Sequence, residues 1–150
     1  MYKEFETKTS YKYLEEVIKH LNEPICILGG WAVFFHVNKK YQEAKNTPYL
    51  GSRDIDLGFH LKTDMTTSEL AQSALAQTIH ILRDKLSFKP LSFRFLKEIH
   101  TETEEELTES RHIPSPFIFP MYVDLIVDVI PYDFKKTLHF APIDEPLLSF

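Results

Sequence analysis

The sequence predicts an α+β domain, α/β-like in the order of its parts, with a mixed β-sheet and helices on at least one face. Three observations predict it. Stretches of helical and strand-like apolar spacing follow one another in the order α, β, α, β, α, β, β. Residues 25–28 and 122–130 are short apolar runs, the second rich in Val and Ile, as buried strands are. With 150 residues and 43% hydrophobic content, the chain is long enough to bury a core beneath such a sheet.

The elements follow in order. Ser10 is placed to cap a helix whose stripe is Tyr11, Leu14, Val17, Ile18 and Leu21, ended by Asn22 and Pro24. Residues 25–28 form a strand that Gly29-Gly30 ends. Residues 31–37 read as a short helix buried on most sides, with Trp31 anchoring it to the sheet. Residues 38–53 are polar, carry Pro48 and Gly51, and read as a loop. Residues 55–61 form a strand with Asp54 and Asp56 at its start. Thr66 and Glu69 have capping-box spacing, and the helix they open aligns Leu75, Ile79, Leu82 and Leu86. Residues 91–99 alternate imperfectly as a strand, with Phe93 and Phe95 against Arg94 and Leu96. The acidic residues 101–110 form a hairpin tip or a short exposed helix with a solvated face. Residues 142–150 are still apolar. They suggest that residues 1–150 are one domain at the N-terminal side of a longer protein, or that this end docks on a protein partner or a second copy.

Composition narrows the function classes. The formal net charge of -5 and pI near 5.8 argue against coating nucleic acid by bulk charge. No apolar run approaches the ~20 residues of a membrane span, and the first ten residues do not read as a signal peptide. A lone Cys26, expected in the core, forms no internal disulfide, which fits a cytoplasmic location. Seven histidines lack zinc-ligand spacing, and His36 and His60 are expected to pack rather than react.

Three motifs carry the chemistry. Gly29-Gly30 lies between a strand and a helix, where the backbone can approach a ligand and the first helical N–H groups can face a phosphate. Gly51-Ser52-Arg53-Asp54-Ile55-Asp56 then sets two carboxylates two apart on a strand, aimed at one spot ~7 Å apart at the backbone. Finally Tyr122-Val123-Asp124-Leu125-Ile126 embeds an acid among apolar residues, costly unless it is paired or bound to metal. Asp128 is a rival third acid, but it lies ~13 Å along the strand from Asp124 and close to Pro131. An all-oxygen donor set suits Mg²⁺ or Mn²⁺.

In this order the motifs resemble the polymerase-beta-like nucleotidyltransferase superfamily. Leu28-Gly29-Gly30-Trp31-Ala32-Val33 is especially similar to the branch of abortive-infection toxins and related prokaryotic proteins. The resemblance spans roughly residues 25–130. It implies the nucleotidyltransferase fold, with Asp54, Asp56 and Asp124 as catalytic metal ligands and Asp124 helping to draw the acceptor proton. Gly29, Gly30, Ser52 and Arg53 would serve as nucleotide contacts. Arg53 has a salt bridge to a nearby carboxylate as its alternative, and Ser52 has shaping of the turn. The spacing from Gly30 to Asp54 is longer than in compact members. The implied reaction moves a nucleoside monophosphate from a nucleoside triphosphate to a hydroxyl of RNA, protein or a small molecule, with Mg²⁺ or Mn²⁺ and release of pyrophosphate. The alternative is a nucleotide-binding interaction module, such as a toxin–antitoxin component, with little turnover. A metal-dependent nuclease is a third reading that leaves the glycine pair unexplained. Lys39, Lys40 and Lys45 are expected in a solvated loop.

Overall fold

The structure, a computed structural model, describes residues 4–21, 25–92, 94–109, 112–140 and 143–144. Helix α1 (Glu4–His20) begins a turn and a half ahead of the expected cap. Its buried stripe is Thr7, Ser10, Tyr13, Leu14 and Val17, so Ser10 sits mid-helix on the packed face and not at its end. There its hydroxyl accepts the Trp31 indole N–H at 3.0 Å. A buried indole donor needs such a partner, and Ser10 supplies it. The expected stop at Asn22 and Pro24 lies outside the described residues.

Helix α2 (Gly29–Lys45) is more than twice its expected length. Residues 38–45 are polar because this part of the helix faces water, not because they form a loop. The helix ends where Asn46 turns left-handed, with φ of 56°, and donates its N–H to the Gln42 carbonyl. Lys39, Lys40 and Lys45 therefore lie on a helix. Nor is α2 buried on most sides: Trp31 alone is buried, while Val33 and Phe35 are 45% and 49% exposed. Trp31 packs against Tyr11 of α1 and Phe34, ring centroids 5.3 Å away in each case. It also lies against Gly51, where any Cβ would overlap its ring. The indole thus joins α2 to α1 and to the loop before the acids.

The sheet is mixed. Strand β1 (Cys26–Ile27) runs antiparallel to β2 (Ile55–Phe59), and β2 runs parallel to β5 (Ile118–Val127). Strand β4 (Arg94–His100) lies antiparallel on the other side of β5, followed by β3 (Lys89–Leu91), giving the order β1-β2-β5-β4-β3. A short β6 (Ile143–Asp144) pairs with the end of β5. The rest of the apolar segment 142–150 lies outside the described residues. Helix α5 (Phe134–Leu138) follows β5.

Period-two alternation divides the sheet into two faces. Ile55, Leu57 and Phe59 of β2, Phe95 and Ile99 of β4, and Phe119, Met121, Val123, Leu125 and Val127 of β5 are buried in one cluster with Leu14 and Val17 of α1. Asp56, Arg94, Leu96, Glu98, Tyr122 and Ile126 are half-buried on the alternate positions. Leu96 thus shares its face with Arg94. The expected strand over residues 91–99 is two strands: Leu91 ends β3, Ser92 turns with φ of 56°, and β4 starts at Arg94. Phe93 lies outside the described residues.

The helix after Thr66 has the expected reciprocal capping box with Glu69. It then breaks. Helix α3 (Thr67–Gln72) stops at Ser73, whose extended backbone and side chain recap α4 (Ala74–His80), and a wider π turn carries the chain on to Lys85. Leu75, Ile79 and Leu82 enter the core as expected, and Leu86 packs at its edge.

The acidic stretch is the hairpin tip of its two expected forms. His100 donates to Glu105 and Leu107 to Glu98, both at 2.8 Å, folding the chain back along β4. It is more than a solvated face, because Glu106 reaches a lysine in the core. Lys97 is 5% exposed on the apolar side of β4, its ammonium 2.6 Å from Glu106 and 5.0 Å from the Tyr13 and Phe88 ring centres. Burial pushes the Lys97 pKa down against the pull of Glu106, and the Tyr13 hydroxyl also donates to Glu106. Removing Glu106 leaves that ammonium in the core without its counterion. Glu106→Ala is expected to cost about 2 kcal/mol, less than a fully buried pair because Glu106 is half exposed. Urea denaturation checks it; a change within 0.5 kcal/mol would mean the ammonium finds water.

Neither His36 nor His60 packs in the core; both are exposed. Cys26 is half-buried at the sheet edge. His60 bonds to Asp128, which is buried just past β5 and also accepts the Leu61 N–H at 3.0 Å and the Val129 N–H at 2.9 Å. Burial pushes the Asp128 carboxyl up, but the Leu61 N–H and His60 outweigh it and hold the carboxyl below its ordinary value of 3.8. A depressed carboxylate stabilises the fold above its unfolded pKa, and that stability fades as pH falls through the folded value. Asp128→Asn is therefore expected to lower stability by about 1–2 kcal/mol at pH 7, with the gap to wild type closing below about pH 4. Thermal melts across pH 3–7 measure it; a gap independent of pH would count against the carboxylate as the source.

Candidate active site

The site forms where the start of β2, the middle of β5 and the start of α2 meet. In the parallel register of β2 and β5, Asp56 stands directly opposite Asp124, and Ile55 opposite Val123. Cross-strand partners project to the same side of a sheet, so the two carboxylates share the face opposite the core. Asp54 lies in the bend just before β2. Burial first, and then the negative charge of Asp124, push the Asp54 carboxyl above its ordinary value, against weaker opposite pulls from Arg53 and Arg94. Asp56 is raised in the same way, by burial, by Asp124 and by Asp54. Asp54 and Asp56 are thus raised by burial first and by the negative charge of Asp124 second.

Helix α2 delivers its N-terminus to this spot. Leu28 donates its N–H to the Asp56 carbonyl at 2.9 Å, which ties the strand end to β2, and the chain then turns at Gly29 with φ of +57°. An L side chain is strained in that conformation. A Cβ at Gly29 would also overlap Oδ2 of Asp56, so glycine is required twice over. At Gly30 a Cβ would come within 2.8 Å of the Ser52 side chain. Ser52 therefore packs on the helix start. Leu28 offers no side-chain cap and the first turn carries no acid, so the leading N–H groups of α2 remain suited to an anion.

Two arginines border the acids. Arg53 turns toward α1, where its Nε lies 3.2 Å from Glu6, and its guanidinium stands 5.4 Å from the Phe119 ring centre. The salt bridge foreseen as the alternative for Arg53 is thus present. Sequence reasoning overlooked Arg94. It opens β4 as the register partner of Asp124 and grips that carboxylate with Nε and Nη2, at 2.8 and 2.7 Å. The only signal for it was a cation in an alternating strand, and the alternation does not say which acid it meets. Asp128, the rival third acid, is four residues beyond Asp124 and held by Leu61 and His60.

The donor set is three carboxylates and is suited to a hard divalent cation. Among the described residues no three His, Cys, Asp or Glu side chains are grouped closely enough to hold one, and Asp124 has both oxygens on Arg94. Nor does any described helix have the length and apolarity to cross a membrane. Comparison with protein-family models, with curated proteins and with solved structures returns no match to this chain.

Proposed function

We propose that the chain is a metal-dependent nucleotidyltransferase of the polymerase-beta-like kind, moving a nucleoside monophosphate from a nucleoside triphosphate to a hydroxyl acceptor. The observation that carries this reading is the pairing of Asp56 with Asp124 across adjacent parallel strands, with Asp54 coupled to both. The Gly29 helix start abuts Asp56 in the same place. Acids on one strand pair beside a bare helix N-terminus suit a cation and a polyphosphate together.

In this reading Asp54, Asp56 and Asp124 hold Mg²⁺ or Mn²⁺, which when bound lowers the pKa of the attacking hydroxyl and steadies the leaving pyrophosphate. The N–H groups at Gly29 and Gly30 take phosphate oxygens, and Ser52 braces that turn. The acceptor oxygen bonds to the α-phosphorus as the bond to the β-phosphate bridge breaks. Asp124 helps draw the proton from the acceptor hydroxyl. The acceptor is an RNA end, a protein side chain or a small molecule. The test is incubation with Mg²⁺ and each of the four labelled nucleoside triphosphates, against RNA, protein and small-molecule hydroxyls. Pyrophosphate release and labelled acceptor are expected; no release with any of them, and no metal or nucleotide binding, would remove the proposal.

A second reading, an interaction module with little turnover, draws on apolar side chains left exposed, Val33 and Phe35 of α2 and Leu50 at 56%. Co-purification with a partner protein, together with wild-type behaviour of Asp54→Ala, would favour it.

A further inference from the structure

The arginine overlooked in the sequence has a part to play at this site, on the reading that the three acids form a cation site. Arg94 and Asp124 face each other across β4 and β5, and the two-point contact engages both carboxylate oxygens. The guanidinium carbon lies over the Tyr122 ring, 4.4 Å from its centre. Its side chain is 28% exposed, while that of Asp124 is 9% exposed. As a fold clamp, such a pair would be strong.

The local charge makes it an incomplete one. Two guanidiniums serve four carboxylates here: Arg53 pairs with Glu6 and also pulls on Asp54, while Arg94 holds Asp124. Two positive charges against four negative leave a deficit of two, the charge of a divalent cation. Both oxygens of Asp124 accept from the fork of Arg94, so an entering ion competes with the guanidinium for that carboxylate. The same fork matches a phosphate as well as it matches a carboxylate. We propose that Arg94 is the resident counterion of the acid cluster, leaving Asp124 when a divalent cation enters and passing to a phosphate of the bound triphosphate. Arg94 is then a positioning residue. Cation and triphosphate both favour the arrangement with Arg94 off Asp124, so each strengthens binding of the other, as linkage requires. The Tyr122 ring gives the guanidinium an aromatic face to stay close to as it moves.

The experiment uses the full chain and two probes, Mn²⁺ alone, followed by the electron paramagnetic resonance of the free ion, and inorganic tripolyphosphate, followed by calorimetry in saturating Mn²⁺. Arg94→Gln is expected to bind Mn²⁺ alone about tenfold tighter than wild type and tripolyphosphate about tenfold weaker. Arg94→Lys, which keeps the charge and loses the fork, falls between them on both scales. A purely structural clamp predicts the reverse for the metal, with affinity falling alongside the melting temperature. Wild-type Mn²⁺ affinity that equals or exceeds that of both variants overturns the role of Arg94 and leaves the transferase reading standing. So does tighter Mn²⁺ binding with unchanged tripolyphosphate affinity. If no form binds Mn²⁺, both fall. If the Gln variant lacks native circular dichroism, the Lys variant decides: tighter Mn²⁺ binding than wild type supports the role, and equal or weaker binding overturns it.

Discussion

On the proposed transferase reading, asparagine in place of Asp56 is expected to reduce nucleotidyl transfer about 10³-fold while making the metal-free protein more stable. The two effects share one cause. The Asp56 carboxyl is raised above 3.8 by burial and by the charges of Asp124 and Asp54. Between the unfolded and the raised folded value, the folded chain keeps a proton that the unfolded chain has released. Stability therefore falls as pH rises through that window and stays lower above it. Asparagine has the same shape and no charge, so the penalty disappears at pH 7. A gain of about 1 kcal/mol, or about 2–4 °C in melting temperature, is expected there, with the gap closing below about pH 4. This is opposite in sign to Asp128→Asn, whose carboxylate is depressed. Saturating Mg²⁺ should reverse the ranking, because a ligand at 100 times its Kd adds about 2.7 kcal/mol to a protein that binds it. Scanning calorimetry with and without Mg²⁺, beside the pyrophosphate assay, measures all three. A variant less stable than wild type without metal would mean that Asp56 is a structural acid, and full activity would end the catalytic assignment.

The second large effect is at Gly29. Gly29→Ala puts a Cβ on a residue with φ of +57° and into Oδ2 of Asp56. The backbone term alone is about 1–2 kcal/mol, and with the overlap the total is expected near 3 kcal/mol, or about 6–12 °C. The carboxylate must also move, so on the proposed metal-site reading Mn²⁺ affinity is expected to fall. A double-mutant cycle separates the terms. Asp56→Ala removes Oδ2 and leaves a Cβ 3.4 Å from the new methyl, an ordinary contact. In that background Gly29→Ala should cost only the backbone term. Equal cost in both backgrounds would show that the helix start does not press on the acid, and the link between glycine pair and metal site would be lost.

The local motifs were legible because their meaning lies within a few residues. Asp54 and Asp56 are two apart where β2 begins, Asp54 in the bend just before it, so their spacing keeps them in one neighbourhood wherever that strand ends up. Asp124 stands out because an acid among Val, Leu and Ile needs a reason. Thr66 and Glu69 cap each other across one turn. The length of α2 was misread for a related reason: polarity over residues 38–45 reports exposure to water, and exposed helices and loops are equally polar. The true end is marked by Asn46, a residue that tolerates the left-handed turn.

Chain order and two-residue periodicity by themselves determined that this protein has a mixed α and β architecture and which acids could act together. Only the tertiary structure decided that β2 and β5 lie side by side and parallel in a register that opposes Asp56 to Asp124. The same is true of Arg94 landing on Asp124, Lys97 entering the core and Trp31 finding Ser10. Strand register is set by how whole faces bury against one another, and a shift of one residue would turn every side chain to the other face. That choice is a property of the packed chain, and no short segment contains it.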